Sequence, residues 1–169
     1  MAVTQQLARV SGAYLTRCRT SAAASPNTDP EWDPPANDWI ELDWSPRFLS
    51  DACELAGVDS CTLEALNRAL NGDPDVDVSV LSHPEATGGF GPPPTALAPD
   101  SVAHVAAKLA GLDWGGSVLP ATPADRPEVL AGHHSIGDPV AYLTTHFMAL
   151  RSFYAEAAQR GLFVVLWWD

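Results

Sequence analysis

The chain has 169 residues, 46% hydrophobic and 18% charged, enough apolar content for a packed core and too much for a wholly disordered chain. Nine basic against 21 acidic residues leave a net charge of −12, a field that repels phosphate backbones, and no basic patch offsets it. No apolar run approaches the ~20 residues of a membrane span, and no basic segment leading into an unbroken apolar stretch opens the chain. A soluble, cytoplasmic protein is expected, with neither nucleic acid nor membrane as partner.

In chain order, AVTQQLARV (2–10) reads as a strand, and Ser11 can cap a helix that places Tyr14, Leu15, Cys18 and Ala22 on one face. Four prolines between Ser21 and Asp38 predict an exposed loop. Ser45-Pro46 starts a second helix with Phe48, Leu49, Ala52, Cys53 and Ala56 inward and Gly57 as its stop. A third helix spans Cys61 to Leu70, ended by Asn71-Gly72. A short strand from Thr95 to Ala98 and a Pro99-started helix bearing Val102, Val105, Ala106 and Leu109 follow the GGFGPPP stretch. Residues Asp113 to Gly137 are punctuated by glycine and proline and predict irregular chain.

Asp138-Pro139 then opens a long helix, an N-cap carboxylate followed by a proline at the first helical position. Val140, Leu143, Phe147, Leu150, Tyr154 and Ala157 share one face, and Tyr142, His146, Ala149 and Phe153 form a second stripe beside it. Gly161 ends the helix, and LFVVLWW reads as an interior strand covered on both sides. This order is not the regular alternation of a doubly wound sheet. It predicts a single helix-rich α+β domain with a small mixed sheet containing the N-terminal and C-terminal strands.

Four stretches carry a family likeness: VTQQLARVSGAYLTRC, LDWSPRFL with Asp43 and Trp44, FGPPPTALAPDSVAHVAAKLAGL, and the segment from Tyr142 to Trp168 with FYAEAA. Together they resemble the YfbM-like family of uncharacterised bacterial proteins, a domain of unknown function. The resemblance implies an α+β fold and no activity. The loop from Ser21 to Asp38 and the stretch from Leu119 to Gly137 have no counterpart in it.

Candidate chemistry is sparse. The three cysteines, Cys18, Cys53 and Cys61, are odd in number and lack metal-type spacing, so reduced thiols and no metal site are expected. His133, His134, Asp138 and His146 lie close in sequence and could meet around a metal or a substrate proton, but they match no ligand signature; the plainer account is loop histidines in solvent, Asp138 as a helix cap and His146 half-buried on its helix. The GGFG turn lacks the Lys-Ser/Thr of a phosphate loop. Between Asp29 and Trp44, Trp32, Trp39 and Trp44 alternate with carboxylates, a mixture suited to sugars, cations or a basic protein surface; the plainer account is core tryptophans beside a solvated loop. Two functions stay open. One is a non-enzymatic binding module that meets a basic protein or a small molecule and needs no cofactor. The other is a small enzyme or small-molecule binder with a pocket beside the C-terminal helix. The candidate binding residues are Asp43, Trp44, Phe90, His146 and Tyr154, and oligomeric state is left open.

Overall fold

The computed structural model describes residues 3–87, 91–122 and 138–169. Its centre is a four-stranded sheet in the order β2-β1-β4-β3, made of β1 (Gln5–Val10), β2 (Trp39–Asp43), β3 (Thr95–Leu97) and β4 (Phe163–Trp168). The helix-rich α+β class holds, and the terminal strands β1 and β4 pair directly along their whole length, from Gln5↔Trp168 to Val10↔Phe163. The sheet is antiparallel at every ladder rather than mixed. The register gives the reason at one edge. Trp39 pairs with Ala8, near the end of β1, so α1 (Gly12–Ala24) and the loop after it make a round trip instead of the one-way crossover that parallel neighbours need.

Both sheet faces are covered. Leu7, Leu97, Val164 and Leu166 point into a large core shared with α2 (Ser45–Leu55), α3 (Ser60–Asn71), α4 (Pro99–Gly111) and α6 (Pro139–Gln159). Ala8, Val10, Ala96, Val165 and Trp167 face a smaller core with α1, Trp32, Val78 and Leu81. This two-sided burial is why β4 carries no polar alternation.

The helix signals act as expected at most ends. Ser11 Oγ accepts from the Tyr14 amide at 3.1 Å, and Asp138 Oδ1 accepts from Ala141 N at 3.0 Å. Three details differ. β2 was not foreseen, because its WIELD sequence is short and only Leu42 is fully buried at this edge of the sheet. The loop begins after Ala24 rather than at Ser21, since the alanine run extends α1 by a turn. Val140 is 37% exposed, so the inward face of α6 starts at Leu143. Within the expected irregular stretch, Trp114–Val118 forms a π-helical turn that brings Trp114 into face-to-face stacking with Phe147, 4.3 Å between ring centroids.

The C-terminal end of α3 is satisfied group by group. Its last four carbonyls have no partner within the helix. The Gly72 amide, in the left-handed region at φ 72°, bonds Arg68 O at 2.8 Å. The Tyr154 hydroxyl donates to Ala69 O at 2.8 Å, Gln5 Nε2 to Leu70 O, and Thr95 Oγ1 to Asn71 O at 2.7 Å.

A buried ion network pins the start of β2. Arg9, only 6% exposed, places Nε 2.8 Å from Asp38 Oδ1 and Nη1 2.8 Å from Glu156 Oε2, while Nη2 donates to Asn37 O at 2.8 Å. Arg160 Nη2 reaches the other Asp38 oxygen at 3.0 Å. The Arg9 guanidinium also lies over the Phe153 ring, 4.9 Å from its centroid.

Candidate functional site

Two constellations stand out, one on each face of the sheet. The first gathers around Asp43, at the end of edge strand β2. A register shift between Gln5 and Gln6 disturbs the ladder there, and Asp43 adopts φ 53°, a left-handed conformation that a non-glycine residue rarely takes. Its carboxylate meets α6, where the Tyr142 hydroxyl donates to Oδ2 at 3.1 Å. His146, one helical turn further, packs edge-on against the Tyr142 ring at 4.5 Å. Trp44 is half-buried against the helical core, with Nε1 donating to Val3 O at 3.1 Å. Tyr142, on the second stripe of α6, thus lies within hydrogen-bond reach of Asp43, and His146 lies beside Tyr142.

The electrostatics keep this cluster in a defined state. Burial, then the charge of Asp43, raises the Tyr142 pKa, so the phenol stays a proton donor. Burial pushes His146 below its ordinary 6.5, opposed by the charges of Asp43 and Glu41. Neutral imidazole is thus the form the fold prefers. Its contribution to stability is present above the ordinary value and is lost as pH falls through the depressed one. Following the His146 ring proton by NMR should give a midpoint below 6.5, falling further in Asp43→Asn, where an attracting charge is gone. A midpoint that rises in this variant would contradict the assignment. Among the described residues, the two buried polar atoms without a hydrogen-bond partner are Ser45 Oγ and Gln5 Oε1. Both residues adjoin Asp43: Ser45 is two positions along the chain, and Gln5 is its cross-strand partner.

One further sequence candidate, Tyr154, separates from this cluster. Tyr154 is fully buried in the core and serves the end of α3, so it lines no pocket with Asp43. The sequence could not show this, because a tyrosine on a helical face reads alike whether its hydroxyl meets solvent or a carbonyl. Phe90, His133 and His134 lie outside the described residues. No group of three or more metal-ligating side chains occurs among the described residues. Burial raises the Cys18 thiol and pushes Cys53 up to about 11, leaving both unreactive at neutral pH.

The second constellation is a cleft of 170 Å³ on the opposite face, lined by Trp32, Trp39, Trp167 and Pro34 together with Asp33 and Asp169. Trp32 stands edge-on to Trp167 at 5.8 Å and 87°, and Trp39 lies nearly parallel to Trp167 at 6.2 Å and 22°. Tyr14 closes the back of Trp32 at 5.6 Å and accepts a bond from the Asp33 amide at 2.9 Å. Trp32 and Trp167 are buried at 8% and 5%, whereas Trp39 is 45% exposed. That exposed indole is nonetheless held. Its Nε1 donates to Gln6 Oε1 at 3.0 Å, Gln6 Nε2 to Thr4 Oγ1 at 2.8 Å, and Thr4 Oγ1 to Glu41 Oε1 at 2.6 Å. Arg9 fixes the chain just before it through Asn37 and Asp38.

Trp32 and Trp39 were legible as candidates because aromatic and acidic residues alternate there. Trp167 was missed as their partner, since its contacts depend on the β1–β4 register and not on local sequence. A larger depression of 380 Å³ includes Arg19 and His83. His83 is committed to the backbone there: the Glu85 amide donates to Nδ1 at 3.2 Å, which leaves Nε2 to donate to Asn27 O at 3.0 Å. No helix among the described residues is long and apolar enough to cross a membrane. No protein-family model matches the chain, and neither a curated protein nor a solved structure is significantly similar to it.

Proposed function

We propose that the protein is a non-enzymatic binding module acting in the cytoplasm, and that its binding surface is the tryptophan cleft. The observation that carries this reading is Trp39, a large aromatic face 45% open to solvent yet held by a four-residue hydrogen-bond relay. An aromatic side chain that is exposed and already ordered loses little entropy on contact, which is how binding anchors work. The net charge of −12 favours a basic protein as the partner. The likeness of four stretches to the YfbM-like family supports placing the chain there, and that family brings no competing activity. Native mass spectrometry of the protein isolated from its own cells tests the reading, with wild type and Trp39→Ala compared. Wild type should retain a partner that Trp39→Ala loses, by about three- to tenfold in affinity for one aromatic contact. A partner retained equally by both would remove the cleft from the interface.

A second reading rests on the Asp43 cluster, as a small-molecule or catalytic pocket beside α6. Its support is the left-handed backbone at Asp43 together with the two unpartnered buried atoms beside it.

A further inference from the structure

The chain contains a template for what its cleft could hold. Arg9 is gripped by two carboxylates, Asp38 and Glu156, while its guanidinium lies over the Phe153 ring. The other cation–aromatic pairs among the described residues also use arginine: Arg17 over Tyr14 at 4.5 Å and Arg151 over Phe147 at 5.8 Å. The cleft repeats the receiving half of that arrangement. It has the exposed indole of Trp39, with Trp167 buried beside it, and two carboxylates, Asp33 and Asp169, and among the described residues no arginine or lysine pairs with any of the four.

Size narrows the ligand. At 170 Å³ the cleft is smaller than the roughly 300–1,000 Å³ of pockets that enclose whole drug-sized molecules, and it suits the head of one side chain. Charge narrows it further, because two carboxylates and no cationic residue line the cleft, which favours a positively charged ligand. Shape decides between the two cationic side chains. A planar guanidinium stacks on an open indole face and forks to a carboxylate at the same time, whereas an ammonium is a compact, strongly hydrated point charge. The Trp39 indole N–H is already spent on Gln6, so its face and not its edge is what a ligand meets.

Deepening the binding-module reading, on which this rests, we propose that the cleft takes a single arginine side chain of the partner, stacked on Trp39 and paired with Asp33 and Asp169. The test uses three pentapeptides, Gly-Gly-X-Gly-Gly with X as arginine, lysine or citrulline, titrated into the full chain by NMR. Citrulline keeps the shape of arginine and removes the charge. The arginine peptide should bind and move the Trp39 and Trp167 indole signals, with citrulline at least about tenfold weaker and lysine weaker by several-fold. Asp33→Asn combined with Asp169→Asn should weaken arginine binding by a similar factor. Both positions are exposed, so this variant keeps the fold if Trp39→Ala does not.

Equal binding of citrulline would overturn the charge assignment, and equal binding of lysine the arginine assignment. No saturable binding of the arginine peptide below about 10 mM, near the weakest measurable affinity, would overturn the proposal outright. The two levels separate cleanly. If a native partner depends on Trp39 while the arginine peptide fails, the module reading stands and the arginine inference falls. If the partner ignores Trp39, both fall.

Discussion

Replacing Asp38 with alanine will destabilise the fold by about 3 kcal/mol, the lower end of the range for breaking a buried ion pair. The Arg9 and Asp38 side chains are 7% and 14% exposed, so removing the carboxylate strands a guanidinium that water reaches poorly. The cost stays at the lower end because Glu156 remains 2.8 Å from Arg9, although at 50% exposure its charge is largely screened. By contrast, losing Asp51 from its pair with the 86% exposed Arg47 should cost no more than about 0.5 kcal/mol. Urea denaturation of both variants checks the contrast.

The acid dependence follows from the same contacts. The hydrogen bond from Arg160, and secondarily that from Arg9, hold the Asp38 pKa below its ordinary 3.8 against the opposing effect of burial. A depressed carboxylate pKa means that the folded state binds fewer protons, so this stabilisation is complete above 3.8 and disappears as pH falls through the depressed value. The stability gap between wild type and Asp38→Ala should therefore narrow on acidification. Because Arg9 also grips Asn37 and Asp38 immediately before Trp39, the variant should loosen the exposed indole and weaken cleft binding as well.

Tyr154→Ala should cost about 4 kcal/mol, the scale of removing a large buried aromatic ring, while Tyr154→Phe should cost about 1 kcal/mol, one net hydrogen bond. The ring is fully buried between α6 and α3, and its hydroxyl serves the otherwise orphaned Ala69 carbonyl. Denaturant titration of both variants separates packing from hydrogen bonding. Unchanged cleft affinity in Tyr154→Phe would agree with its place in the core on the far side of the sheet. If Tyr154→Phe were as damaging as Tyr154→Ala, the hydroxyl would have a larger role than one helix-end bond.

Local signals were legible wherever local physics decides the outcome. Ser11, Pro99, Asp138-Pro139 and Gly161 mark element ends because capping and proline geometry act within a few residues. The strand from Phe163 to Trp168 was readable from its short, unbroken apolar run after Gly161, rich in Val and Trp, which suits a strand covered on both faces. What escaped was set by distant chain. The pairing of Trp39 with Trp167 is fixed by β1 lying between β2 and β4. The burial of Arg9 depends on acids far along the sequence, at 38 and 156. Asp43 meets the second stripe of α6 through Tyr142, whereas Tyr154, from the neighbouring stripe, is buried against the end of α3. One helix face is not one site.

The central claim is that the tryptophan cleft, and not the Asp43 cluster, is where this protein meets its partner. Observing the six tryptophan indole signals and the His146 ring together, as the arginine pentapeptide is added, tests it most directly. Shifts concentrated at Trp32, Trp39 and Trp167, with Trp114 and His146 unmoved, are expected. Shifts at His146 and Trp44 with the cleft indoles unmoved would place binding on the opposite face of the sheet and contradict it.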